Sequence, residues 1–278
     1  MKKYNSINKY DLFTNEVLKL MNTYGKSWVK CWSSSIASNH HNFFTNNVYS
    51  GVNIFWTGLN CFTNNYTCNQ WATFNQWKQA GYKLKENSKG KGCPIFYFTI
   101  VEKSCQEDET LKDSYPILKS FTVFNGQQVE GFNYKPIEKN KNIFNDKKID
   151  NHIKLTGAKI KHGGAKAFYS PHLDFIQIPN KQDFINTSTN SNKENYYLTL
   201  LHELGHWTGH KTRENRDFSS RFGSQSYAFE ELIAEITGCF LSCQFGLNST
   251  PSISSIKYIN SWKELLKKDN KAIMTAFT

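Results

Sequence analysis

Arginine is nearly missing from this chain: there are only three, Arg213, Arg216 and Arg221, although Lys and Arg together number 34 and set a formal net charge of +11. Lysine therefore supplies almost all the positive charge, as mobile point charges and not as planar forks. No run of about 18 consecutive apolar residues occurs, which excludes a membrane-spanning helix. The start, MKKYNSINKYDLF, has no apolar core of leader length, so a soluble, cytoplasmic protein with no membrane partner is expected. The seven cysteines, at 31, 61, 68, 93, 105, 239 and 243, are scattered and never spaced as C-x-x-C. That excludes a disulfide framework and a zinc ribbon and predicts buried thiols. No internal repeat is present.

What is there is enough for real cores. At 278 residues, 38% hydrophobic and 15% aromatic, the chain can build two modest domains or one large one. Positive charge gathers early: residues 1 to 103 hold 12 lysines and 4 acids, a net of 12 − 4 = +8. Such a balance points to an anionic partner, nucleic acid first. Abundant Lys, Asn, Ile, Phe and Tyr also follow from AT-rich coding, so charge alone does not specify the partner.

Apolar spacing predicts a first amphipathic helix over 8–23. Residues 42–53 read as a turn-rich loop entering the apolar pair Ile54 and Phe55, and 71–81 as a short helix ended by Gly81. The stretch YKLKENSKGKGCPIFYFTIVEK predicts two strands joined by a lysine-glycine turn, the second (94–101) in a sheet interior. Polar 103–114 reads as a loop insertion, LKSFTVFN as a further strand and 133–150 as an interdomain linker. A helix is expected to start near Asp150. Beyond it, AFYS and DFIQI flank Pro171-His172-Leu173 as a hairpin. Helices follow over 194–209, over AFEELIAEITGCFLSCQFG and over SWKELLKKDN.

Within the 194–209 helix lies His202-Glu203-Leu204-Gly205-His206. With 8 histidines and at most 23 acidic residues in 278, chance predicts about 0.02 such H-E-x-x-H matches, so an accident is a poor explanation. Residues i and i+4 share a helix face, which lets two imidazoles converge on one Zn²⁺ while Glu203 projects beside the open position. Glu203 then serves as general base toward an attacking water and as general acid toward a leaving amine. For a third ligand, His210 continues the row but Gly209 ends the helix, and the position of a third histidine in long zinc motifs is occupied by Thr212. The downstream helix offers Glu231 as ligand and Glu235 as acceptor of a ligand histidine's N–H. Glu230 is the fallback and is expected to face solvent.

Six stretches stand out together: Asn42-x-x-Thr45-x-x-x-Tyr49-x-Gly51-x-Asn53, Trp71-x-Thr73-Phe74-x-Gln76, the Gly81 to Gly90 lysine turn, FTVFN, Tyr169-x-Pro171 with Asp174-x-Ile176, and LLHELGHWTGHKTRENRDFSSRFGSQSYAFEELIAE. In them, and over nearly its whole length, the chain resembles the ArdC-type antirestriction family. The turn departs mildly, reading Lys85-Glu86-Asn87-Ser88-Lys89-Gly90. The resemblance implies an α+β protein with an N-terminal single-stranded-DNA-binding domain (1–132), a linker (133–150) and a C-terminal zincin-like metallopeptidase domain (151–278), associated with protecting incoming mobile-element DNA from restriction.

The residues of the first domain agree independently. Trp28, Trp32, Trp56, Trp71 and Trp77 lie among Tyr49, Phe43, Phe44 and Lys83, Lys85, Lys89 and Lys91. Lysines track phosphates and aromatic faces stack bases. Tyr49, Trp71 and Trp77 are taken as stacking candidates, Trp56 and Phe96 as core, and more than half of these aromatics as packing residues. A zinc endopeptidase acting on a host protein, with a peptide along the 167–178 hairpin, is the alternative function. Oligomeric state is not specified by the sequence.

Overall fold

The computed structural model describes residues 8–25, 28, 39–105, 108–136, 146–219, 224–247 and 253–277. Trp32, Cys31, Arg221 and linker residues 137–145 lie outside them. Contacts divide the chain into two compact units, Ser38–Lys139 and Met1–Ala37 together with Asn140–Thr278.

In the Ser38–Lys139 unit, strands β1 (His41–Asn42), β2 (Gln70–Thr73), β3 (Cys93–Cys105) and β4 (Asp108–Asn125) form a sheet of order β1-β2-β4-β3. Helix α2 (Val52–Asn64) begins where a turn-rich loop was expected. Its Asn53 side chain accepts from the Phe96 N–H at 2.7 Å and donates to the Phe96 carbonyl at 2.8 Å, satisfying backbone on the outer strand of the sheet. The apolar strand is thus an edge strand and not an interior one: α2 covers the Phe96 side while Tyr97, on the other face, is exposed. The polar 103–114 segment does not form a loop insertion; its described backbone continues the β3–β4 ladder, with Lys103 opposite Asp113.

The expected 71–81 helix is a strand followed by a short helix, α3 (Phe74–Gln79), and the change is local. Thr73 caps α3 by accepting from Gln76 N–H, and the Gln76 side chain returns to the Thr73 N–H. The expected strand at 82–85 is reduced to one bridge, Leu84 to Val129, followed by a single turn of 3₁₀ helix. Asn125 closes the sheet from inside, donating to Cys68 O at 2.8 Å while its N–H reaches Gln128. The residues carrying the family resemblance here are largely framework.

In the other unit, helix α1 (Lys9–Tyr24) packs on α7 (Ile253–Lys268) and α8 (Ala272–Phe277). Thr14 donates to Asn270 O, and Phe13 meets Phe277 edge-on. The first helix therefore groups with the C-terminal residues, on the far side of the sequence-based boundary at 132, because its apolar stripe finds its partner there. Helix α4 (Asp146–Thr156) starts inside the stretch read as linker. Strands β5 (Ile160–His162), β6 (Phe168–Ser170) and β7 (Phe175–Ile178) form a sheet of order β5-β7-β6, with β6–β7 the expected hairpin and β5 parallel to β7. Ile149, Ile176, Ile178, Tyr197 and Leu201 centre the core between this sheet, α4 and the long helix α5 (Asn192–Trp207). Helix α6 (Gln225–Gln244) lies against α5. Cys61, Cys68, Cys93, Cys239 and Cys243 are buried thiols, as expected from their scatter. Among the described residues no helix is long and apolar enough to cross a membrane.

Candidate functional site

Small residues let α5 and α6 come together. A Cβ on Gly205 would lie 2.8 Å from the Ala234 Cα, and one on Gly238 would lie 3.4 Å from the His202 backbone. This approach brings carboxylates of α6 to the two histidines of α5. Ligand atoms of His202, His206 and Glu231 lie within 4.8 Å of one another. His202 Nε2 is 3.7 Å from Glu231 Oε2, and His206 Nε2 is 3.7 Å from Glu231 Oε1. Two donors about 2.1 Å from a tetrahedral ion stand about 3.4 Å apart, so the set fits a divalent metal with minor tightening. His210 is not part of it; its Nδ1 pairs with Thr212 Oγ1 at 2.9 Å.

Each histidine presents its other nitrogen to a carboxylate. Glu235 faces His202 Nδ1 at 3.7 Å, the side anticipated for it, though beyond direct hydrogen-bond reach. Glu230 does not face solvent as expected. It is buried, and it accepts from His206 Nδ1 at 3.0 Å and from Arg216 through Nε at 2.8 Å and Nη2 at 3.0 Å. The helical spacing hid this, because the partner that makes burial of Glu230 affordable comes from the loop after α5. Tyr227, one turn before Glu231 on α6, hydrogen-bonds the Glu231 carboxylate and lies 3.3 Å from the Tyr258 hydroxyl. Neither tyrosine was flagged by motif or composition.

The electrostatics call for a cation. Burial opposes charge on His202, yet the surrounding Glu231, Glu203 and Glu235 carboxylates raise it to about 9. Burial likewise opposes charge on Glu230 and Glu231, but His206 and Arg216 hold the first below the usual carboxylate range, and His202 and His206 the second. A proton on His202 offsets part of this carboxylate charge, and a divalent ion bound by the same residues would displace it. Glu203 behaves differently: burial pushes its carboxyl up, against the pull of the two histidines, and it receives the Tyr169 backbone N–H from edge strand β6. A carboxyl raised in this way holds a proton more readily than an exposed one, which suits a general base.

The aromatic stacking candidates fare otherwise. Tyr49, Trp71 and Trp77 are buried and cannot receive a base. Trp71 Nε1 donates to His40 Nδ1 at 2.9 Å, and Trp77 Nε1 donates to Phe124 O at 3.2 Å while its ring stacks on Phe43. Large rings flanked by lysines read alike in sequence whether they fill a core or face water. Trp56 and Phe96 are core, as expected. Among the described residues of this unit the exposed rings are Phe44, Phe62, Phe74, Tyr97 and Phe121, with Tyr97 61% and Phe121 48% exposed. Tyr97 stands opposite Lys119, next along the same face of β4 to Phe121. Lys83, Lys85, Lys89 and Lys91 are all exposed; Lys85 donates to Gln127 O at 2.8 Å and Lys89 pairs with Glu86 at 2.7 Å.

Residues 147–278 match the family model of a zincin-like metallopeptidase, and residues 7–124 match that of the N-terminal domain of anti-restriction factor ArdC. The crystal structure of the antirestriction ArdC protein from plasmid R388 in its metal-free form is 30% identical with a TM-score of 0.75, covering 98% of this chain and 93% of that one. Its Mn(II)-bound form is 29% identical with a TM-score of 0.74, covering 97% and 93%. A DNA primase TraC of Escherichia coli is 32% identical over 90% of this chain, which spans only 24% of that protein's length. The protein y4eC of Sinorhizobium fredii is 27% identical over 96% of this chain and 87% of its own length. The two-domain α+β layout, the zincin-like half and the match to the R388 protein along almost its full length place this chain in the ArdC family of antirestriction proteins.

Proposed function

We propose that this protein protects incoming mobile-element DNA in the cytoplasm of a recipient cell by binding it as a single strand, and that it carries a zinc-dependent site of metallopeptidase type. The observation that carries the metal half is the His202–His206–Glu231 cage beside buried Glu203. Two imidazoles and a carboxylate form a zinc set. The Mn(II)-bound form of the R388 protein makes manganese the competitor that a metal analysis must include. When bound, the ion supplies Lewis-acid activation of water and of a carbonyl. Glu203 takes the proton from the attacking water and returns it to the leaving amine, while the Tyr169 N–H holds its carboxylate in place. Strand β6 borders its sheet among the described residues, and apart from the Tyr169 N–H turned to Glu203 its outer edge is open to an extended peptide.

For the strand-binding half, the open rings of Tyr97 and Phe121 around Lys119 are the stacking surface, and Lys83 and Lys91 follow the phosphates. This replaces the buried trio of Tyr49, Trp71 and Trp77. Protection by coating needs no bond cleavage. A Glu203→Gln protein is expected to keep its metal, bind strands and protect transferred DNA in a restricting host as well as the parent does. Lost protection with strand binding intact would make hydrolysis of a host protein the mechanism instead, the reading favoured by the raised Glu203 carboxyl.

A further inference from the structure

Two of the chain's three arginines lie on the loop that follows α5, and they do different things. Arg213 stacks on the Trp207 ring, 3.7 Å from its centroid, donates to Trp207 O at 2.7 Å and pairs with Asp174. It ties the helix end to the β6–β7 turn. Arg216 instead points back along α5. Its Nη2 donates to Gly205 O at 2.8 Å and its Nη1 to Thr208 Oγ1 at 2.8 Å. Nε and Nη2 together grip both oxygens of Glu230, whose Oε1 also accepts the hydrogen bond from His206 Nδ1. Gly209 makes room for this: a Cβ there would lie 2.8 Å from Arg216 Nη2 and 2.7 Å from Phe218 Cζ.

We propose that Arg216 is a positioning residue of the metal site, acting through Glu230 to lock the His206 ring with Nε2 toward Glu231 and the ion. The inference rests on the metal reading given above. A carboxylate that faces an imidazole alone can rotate, or turn one oxygen to water. Held bidentately by a planar guanidinium it can do neither, so His206 is fixed in the tautomer that leaves Nε2 open. Lysine at 216 would keep the charge but lose the fork and the contacts to Gly205 and Thr208. In this lysine-rich chain, the two described arginines, Arg213 and Arg216, stand where a planar fork is used.

The test compares the full-length parent with Arg216→Lys, Glu230→Gln, the double variant and Arg213→Lys. Zn²⁺ affinity is measured by chelator competition, and His206 by ¹⁵N NMR of the metal-free proteins. Arg216→Lys and Glu230→Gln are each expected to weaken Zn²⁺ binding about tenfold or more. The double variant should fall within about twofold of the worse single one, because both act through one path. In the metal-free parent His206 should carry its proton on Nδ1, and Arg216→Lys should blur that preference. Arg213→Lys should lower the melting temperature yet leave Zn²⁺ affinity unchanged. Unchanged affinity and an unchanged His206 spectrum in folded Arg216→Lys overturn the proposal, as do losses that multiply in the double variant. If Arg216→Lys does not fold, the near-isosteric Glu230→Gln decides by the same affinity. A parent that binds no Zn²⁺ refutes the metal reading, while the His206 spectrum still tests the lock.

Discussion

Gly205 lies so close to Ala234 that an added Cβ would stand 2.8 Å from its Cα and 3.2 Å from its carbonyl oxygen. Alanine favours a helix over glycine by about 1 kcal/mol, so propensity alone predicts that Gly205→Ala stabilises. Overpacking against backbone costs about 1–3 kcal/mol and wins, because Ala234 cannot rotate out of the way. We expect Gly205→Ala to lower the melting temperature and, by spreading α5 from α6, to weaken metal binding. Differential scanning calorimetry with a metal titration checks both. A more stable protein with parental metal affinity would show that the helices do not need this approach.

The pair that positions the metal was only half legible in the sequence. His202, Glu203 and His206 announce themselves because their spacing matches the helix period, and Glu231 and Glu235 because carboxylates in an apolar helix need partners. Glu230 did not, since burial of its carboxylate depends on Arg216, whose approach is set by a polar loop without periodicity. Helix α2 was hidden by its Asn- and Gly-containing start, and β5 by its brevity and polar middle residue. The long β3–β4 ladder was read as a loop where its sequence turns polar, because the apolar patterning that marks a strand fades there while backbone pairing continues. The tryptophans of the first unit failed as DNA contacts for a related reason: hydrophobic mass says that a ring will be used, not against what.

Acid should loosen the hairpin before it unfolds the rest of its unit. The hydrogen bond from Arg213, with help from Tyr169, holds the Asp174 carboxyl below the usual carboxylate range. A carboxyl lowered in the folded state stabilises above its unfolded pKa and loses that contribution as pH falls through the folded value. Melting temperatures should therefore drop below about pH 4 more steeply for the parent than for Asp174→Asn. Asparagine tolerates the positive φ of 49° at this position, so the comparison isolates charge. Parallel curves would remove Asp174 from the account.

Strand binding separates rings from charges. Tyr97→Ser with Phe121→Ser should lower affinity for single-stranded DNA while leaving the salt slope in place, stacking being worth about 1–3 kcal/mol per base. Lys83→Glu with Lys91→Glu should flatten that slope, since fewer counterions are released. Lys85 and Lys89, with protein partners of their own, should matter less. Trp77→Ala should reduce melting temperature first, because its ring fills the core. Fluorescence anisotropy over a salt series reads the first three and thermal denaturation the fourth, and unchanged affinity in the Tyr97/Phe121 variant would move the stacking surface elsewhere.

The central claim is that His202, His206 and Glu231 form one metal cage. Metal content by plasma mass spectrometry, after dialysis against equal zinc and manganese, tests it most directly. The parent should retain close to one equivalent per chain, mostly zinc; His206→Ala and Glu231→Gln should retain little, and His210→Ala should match the parent. Equal metal in the parent and His206→Ala would contradict the cage.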